Sequence, residues 1–185
     1  MNSPAGIPAD KQEILFTAAQ IQTRVRELAA EIDRDYADGD LLLLCILRGG
    51  VVFLSDLMRA INVPHSIDFV ALSSYETGAR ESSGQVRITL DLKTPVAHRD
   101  VLLVEDIVDT GRSLAFLMEL LHAHHPRSLE VCVLLDKTDR RKVAVPLRYR
   151  GFSIPDRFVF GYGLDIDERG RNLPYIAAAK ENETS

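Results

Sequence analysis

The chain has 185 residues, a length at which one continuous core forms and two independent ones would be crowded. Hydrophobic residues make up 46% and charged residues 26%, which excludes disordered, collagenous and membrane-embedded classes. The net charge of −5 argues against a nucleic-acid partner, because a duplex binder neutralises phosphates with a basic surface.

No apolar run approaches the roughly 20 residues that cross a bilayer. Residues Met1 to Asp10 offer neither basic residues nor an apolar signal core, so a single cytoplasmic domain with no membrane partner is expected.

In chain order, Asp10 followed by Glu13 predicts a capping box. Ile14, Ala18, Ile21, Val25, Leu28 and Ile32 then recur at helical spacing. Leu41 to Leu47 is continuously apolar, as in a strand covered on both faces, and Val51 to Ile61 reads as its packing helix. Ser66 to Leu72 and Val86 to Leu90 predict two more strands. Between them, Ser73 to Gln85 is rich in Ser, Gly, Glu and Arg and has almost nothing to bury, so a mobile loop is expected there, with Gly78 and Gly84 as hinges.

Val101 to Val104, Ser113 to His124 and Leu129 to Leu135 continue as strand, helix and strand. This βαβ order predicts an α/β fold with a mainly parallel sheet flanked by helices. Cys45 and Cys132 sit inside apolar runs and are expected as small buried hydrophobes rather than a disulfide. From Pro146 onward the apolar pieces are short and interrupted by Pro, Gly and aromatic residues, which predicts a small hood over segment 146–175, and Glu181 to Ser185 is expected to fray.

The chemistry concentrates where the strand Val101 to Val104 runs into Glu105, Asp106, Asp109, Thr110, Gly111, Arg112 and Ser113. Ligands of open parallel sheets gather at the carboxyl ends of strands, and two adjacent acids there suit ribose hydroxyls or a hard cation. Asp109 to Ser113 offers successive backbone N–H groups, hydroxyls of Thr110 and Ser113, a glycine for close approach and a helix N-terminus. A terminal phosphate fits that set. The competing interpretation is that Asp109 and Ser113 merely cap a helix while Glu105 and Asp106 form a solvated corner.

This stretch resembles the phosphoribosyl diphosphate signature of type I phosphoribosyltransferases. Further stretches are similar to the hypoxanthine-guanine branch of that family: Leu47 to Gly50, Ser73-Ser74-Tyr75, Leu135 to Thr138, and Gly151 to Asp165. The resemblance covers nearly the whole chain after the first helix. It implies a Rossmann-like core with a C-terminal/N-terminal hood over the base, phosphoribosyl diphosphate and a 6-oxopurine base as partners, and Mg2+ as cofactor.

By the same resemblance, Lys137 donates to the oxygen at purine C6, Phe158 stacks on the ring, the backbone of Val159 reads the base edge, and Asp165 lies by base and metal. Arg48, Gly49 and Arg171 take the diphosphate, with a cis peptide at Leu47–Arg48; Ser74 and Tyr75 belong to the closing loop. The implied metal ligands are Glu105, Asp106 and Asp165, and Asp109 is the catalytic base that accepts the N7 proton. Arg48, Ile166 and Gly170 depart from residues common in relatives (Lys, Tyr and an aromatic).

The expected activity is transfer of a 5-phosphoribosyl group to hypoxanthine or guanine by a homodimer or homotetramer. Two alternatives remain at this point: a xanthine-preferring transferase, and a regulatory protein that keeps the fold as a ligand sensor. A generic dinucleotide binder is disfavoured, because no Gly-x-Gly-x-x-Gly follows the first strand.

Overall fold

A computed structural model describes Gly6, Pro8 and residues 12–74 and 86–180. Among these, the strands are β1 (Gln12–Phe16), β2 (Leu41–Leu47), β3 (His65–Ser74), β4 (Val86–Leu90), β5 (Asp100–Val108), β6 (Ser128–Asp136), β7 (Tyr149–Ser153), β8 (Val159–Phe160) and β9 (Ile176–Ala179). The helices are α1 (Ala18–Asp35), α2 (Gly50–Ala60) and α3 (Arg112–His122).

Six strands form the main sheet in the order β4-β3-β2-β5-β6-β7. All neighbours are parallel except β3 and β4. The unbroken apolar run of β2 has its reason in the two layers. Leu41, Leu43 and Cys45 pack under α1 and α2, with Ile21, Val25, Leu28, Phe53 and Leu57. Leu42, Leu44 and Ile46 face α3, with Leu114, Leu117 and Leu121. A strand covered on both sides has no polar face to show. Cys45 and Cys132 are free and buried, as expected. None of the described helices is long and apolar enough to cross a membrane.

Three expectations are corrected. The first helix starts later, at Ala18, because Thr17 and Gln20 form the capping box: Thr17 Oγ1 accepts from the Gln20 N–H at 3.3 Å and the Thr17 N–H donates to Gln20 Oε1 at 2.9 Å. Residues Gln12–Phe16, expected as its first turn, are a strand paired antiparallel with β9. Second, β5 does not end at Val104 but continues to Val108, because Ile107 and Val108 resume the apolar run and pair with Leu135 and Asp136 of β6. Third, the hood is a three-stranded sheet in the order β1-β9-β8. It draws on both ends of the chain, as the resemblance implied; what is corrected is its extent, since Tyr149–Ser153, inside segment 146–175, pairs with β6 in the main sheet.

Two buried acids tie the loops at the sheet's edges. Asp68 accepts backbone N–H groups of Phe69 (2.8 Å), Lys93 (2.9 Å) and Thr94 (2.7 Å). Burial alone pushes its carboxyl up, but the donors from Phe69, Thr94 and Lys93 outweigh this and hold it below the usual range. Asp100 accepts from Nε and NH2 of the Arg127 guanidinium and from the Ser128 hydroxyl. Arg127 is the main reason its carboxyl lies low, against the desolvation.

Candidate active site

The turn from β5 into α3 builds a hollow of about 130 Å³ lined by Glu105, Asp109, Thr110, Gly111 and Ser113. Gly111 is the N-cap of α3, with φ of 82°, and no side chain caps the helix. Of the first-turn amides, that of Arg112 donates to Thr110 Oγ1 at 3.4 Å, and a helix start opening on a hollow is the arrangement that receives an anion. The interpretation of Asp109 and Ser113 as helix caps falls with Gly111 at the N-cap. A Cβ at residue 111 would also meet the Val143 carbonyl at 2.6 Å. That loop in turn donates its Lys142 and Val143 N–H groups to the Thr110 carbonyl at 3.0 and 3.1 Å.

Glu105 and Asp106 are not a solvated corner. They lie within β5, where successive side chains point to opposite faces. Glu105 lines that hollow. Asp106 lies beneath the Arg48–Gly50 turn, so close that a Cβ on Gly49 would fall 1.6 Å from its Oδ2. Burial raises the Glu105 carboxyl well above its usual range, with the Asp106 charge adding to it. Burial likewise raises Asp106 to about 6, against hydrogen bonds from backbone N–H groups. Glu105 Oε2 is buried and has no hydrogen-bond partner. A buried oxygen left in that state marks a place for a donor or a cation.

On the other side of Asp106, Arg171 pairs with Asp165 at 2.8 Å and with Glu168 at 3.0 Å. Arg171 also donates to the Gly163 carbonyl at 2.9 Å. Glu168 reaches Arg48 at 3.0 Å as well, so one carboxylate bridges the two arginines expected to take the diphosphate. The Leu47–Arg48 peptide is cis, as the resemblance implied.

The base side is built where β5 and β6 end together. Register pairs Val108 with Asp136, and the Lys137 N–H donates to the Val108 carbonyl at 3.0 Å, which sets Lys137 beside Asp109. Lys137 is 7% exposed, and its ammonium lies 3.6 Å from Asp156. Two residues beyond Asp156, Phe158 is 60% exposed while Val159 is buried. An interior cation next to an outward aromatic reverses the usual partition. Of the closing loop, Ser74 ends β3, whereas Tyr75 and the remainder of the expected mobile segment lie outside the described residues.

The metal set is corrected in one respect. Among the described residues no three carboxylate, imidazole or thiol groups come together to hold an ion, because Glu105 and Asp106 face opposite ways. One or two carboxylates completed by substrate oxygens and water are nevertheless a normal environment for magnesium; Asp106, with Asp165 close enough to act on its charge, fits it, while the partnerless Glu105 oxygen lies on the opposite face.

The sequence pattern of the phosphoribosyl transferase domain matches residues 11–167. A hypoxanthine-guanine phosphoribosyltransferase of Mycobacterium avium is 50% identical over 175 residues, covering 91% of this chain and 86% of that protein. That of Dictyostelium discoideum is 48% identical over 175 residues, covering 92% and 96%. The chain belongs to the hypoxanthine-guanine phosphoribosyltransferases. The crystal structure of a hypoxanthine phosphoribosyltransferase from Staphylococcus aureus superposes with a TM-score of 0.87 at 44% identity, covering 94% of each chain.

This phosphoribosyltransferase carries further charged groups around the site that the motifs did not single out. Arg140 Nε lies 3.1 Å from Asp109 Oδ1, and its NH1 donates to Asp156 at 3.4 Å. Asp136, fully buried, pairs with Arg141 and with Arg150, the latter at 2.9 Å. These ion pairs anchor the loop that backs Gly111. The one available signal was Asp136 itself, an acid closing an apolar strand, since a buried carboxylate requires a cation. The run Asp139-Arg140-Arg141-Lys142 otherwise reads as a solvated turn.

Proposed function

We propose that this enzyme transfers the 5-phosphoribosyl group from phosphoribosyl diphosphate to N9 of hypoxanthine or guanine, giving the nucleoside monophosphate and diphosphate in purine salvage. The observation that carries the choice of base is a buried Lys137 held to Asp156, two residues before an exposed Phe158. Phe158 offers a face for a planar ring, and Lys137 offers a desolvated donor for the C6 oxygen.

In this reading the Asp109–Ser113 amides and hydroxyls hold the 5-phosphate, and Glu105 takes ribose hydroxyls. The bond from C1 to the diphosphate oxygen breaks with its electron pair leaving on the diphosphate, and N9 forms the new bond to C1. Asp109 accepts the proton that leaves N7. Arg48 and Arg171 balance the charge that grows on the departing oxygens. Magnesium, when bound, would add to that neutralisation; Asp106 and Asp165 are the residues that would hold it, together with oxygens of the donor.

The test is a spectrophotometric assay with phosphoribosyl diphosphate, magnesium and each of hypoxanthine, guanine, xanthine and adenine. Hypoxanthine and guanine are expected as substrates and adenine is refused, because adenine presents an amino group where Lys137 needs an acceptor, a mismatch of about 1–3 kcal/mol. Turnover of adenine at a comparable rate, or preference for xanthine, would overturn the assignment. Lys137→Ala is expected to weaken use of both 6-oxopurines while donor affinity stays within about twofold, since the effect is confined to the base contact; equal loss of both affinities would give Lys137 a structural role instead.

A further inference from the structure

Four charged side chains alternate in sign along one edge of the base site: Asp109, Arg140, Asp156 and Lys137, with successive separations of 3.1, 3.4 and 3.6 Å. Arg140 is the inner cation of this row. It stands at the end of the short 3-10 turn Thr138–Arg140, whose backbone closes by the Arg140 N–H donating to the Lys137 carbonyl at 3.2 Å. The turn is fixed to β5 through the Lys137 N–H and the Val108 carbonyl, so the backbone of Arg140 is held near the end of the strand that leads to Asp109.

Its two edges do different work. Nε faces Asp109 Oδ1, a buried atom that lies off the line of a hydrogen bond, while the Asp109 side chain as a whole stays 40% exposed toward the hollow. NH1 faces Asp156, the counter-ion of Lys137. A planar guanidinium can address two carboxylates at once in fixed directions, which a lysine ammonium or a neutral chain cannot reproduce.

We propose that Arg140 is a positioning residue for the transfer: it turns Asp109 and, through Asp156, Lys137 into a fixed pair, so that the acceptor of the purine proton and the donor to the purine oxygen meet the same base in one pose. The proposal rests on the reading of Asp109 as proton acceptor. Arg140 touches no reacting atom and acts only through its two acidic neighbours. Without it, Asp109 loses the cation beside Oδ1, and Asp156 is left to Lys137 alone.

The experiment is a double-mutant cycle on kcat, with the donor dissociation constant measured for every variant. Arg140→Met is expected to lower kcat about 10- to 100-fold, within the range of coupled neighbours, and to leave donor affinity within about twofold because the phosphate hollow is untouched. Placed in an Asp109→Asn background, the same change is expected to lower kcat by a clearly smaller factor, since one of its two targets is gone and only the Asp156 side remains. The same fractional loss in both backgrounds, or full kcat in Arg140→Met alone, overturns the proposal. Asp109→Asn measured by itself separates the two readings: parental turnover there removes Asp109 as proton acceptor and takes the Arg140 role with it. Arg140→Lys is carried through the same cycle, so that the comparison survives if the methionine variant does not fold.

Discussion

Phe158 keeps 60% of its surface in solvent and Lys137 only 7%, so replacing them has opposite consequences for folding. Phe158→Ala removes little packing, and its stability is expected within about 0.5 kcal/mol of the parent. Its KM for hypoxanthine is expected to rise about 5- to 100-fold, because stacking a base on an aromatic is worth about 1–3 kcal/mol. Thermal melts and steady-state rates on one preparation check both halves; a large loss of stability with an unchanged KM would make Phe158 a packing residue. Gly49 is constrained differently, since any side chain there collides with the Asp106 carboxylate. Gly49→Ala is expected to lose about 1–3 kcal/mol from overpacking and to weaken donor binding as the Arg48 turn lifts; denaturant melts and donor titration measure the two effects.

At this scale the sequence was most legible where chemistry is contiguous. Asp109 to Ser113 supply a hydroxyl, a glycine and a helix start in one run, and their meaning is local. Arg140 and Glu168 escaped because their roles lie in partners far along the chain: Arg48 is 120 positions from Glu168, and Asp156 is 16 from Arg140. Inside a charged run, each looks like a residue facing water.

Among elements, the strands of the main sheet followed from apolar runs that two helical layers must cover. The errors fell where a run could be read two ways. Gln12–Phe16 carries part of a helical pattern, yet the capping box at Thr17 and the free edge of β9 give it to the hood. The two acids in β5 suggested an end to that strand, but the β6 ladder continues past them. The loops joining these strands rest on Asp68 and Asp100, and this has a pH signature. Both carboxyls are held below their ordinary value of 3.8 in the folded chain. The stability they contribute is therefore complete above that value and is lost as pH falls through their lower folded values. The stability gap between the parent and Asp68→Asn is expected to narrow in urea melts as pH drops below about 4. A gap of constant size would assign the contribution of Asp68 to something other than its charge.

Across the whole molecule, the main sheet presents Glu105, Asp106, Asp109 and Lys137 from the same ends of β5 and β6, while the hood is assembled from the two ends of the chain. The hood was the least legible part, because β1 and β9 are partners separated by nearly the full sequence and neither is distinctive alone. Two carboxylates raised by burial make the free enzyme electrostatically unfinished. Phosphoribosyl diphosphate with magnesium, at about 100 times its dissociation constant, is expected to stabilise the fold by about 2.7 kcal/mol, which for a chain of this size corresponds to a rise in Tm of roughly 5–10 °C. The donor with a chelator in place of magnesium is expected to give a smaller rise in differential scanning calorimetry, and equal rises would argue that the acids do not take part in holding the ion.

Glu168 gives the leaving-group side a different character from the phosphate hollow. With its one carboxylate already shared by Arg48 and Arg171, a diphosphate taken up as proposed would not settle on bare cations but would take the place of a tethered anion. On that reading, departure of the product would run as an exchange in which the tethered anion returns, and the two guanidinium groups would pass through a full cycle without standing uncompensated.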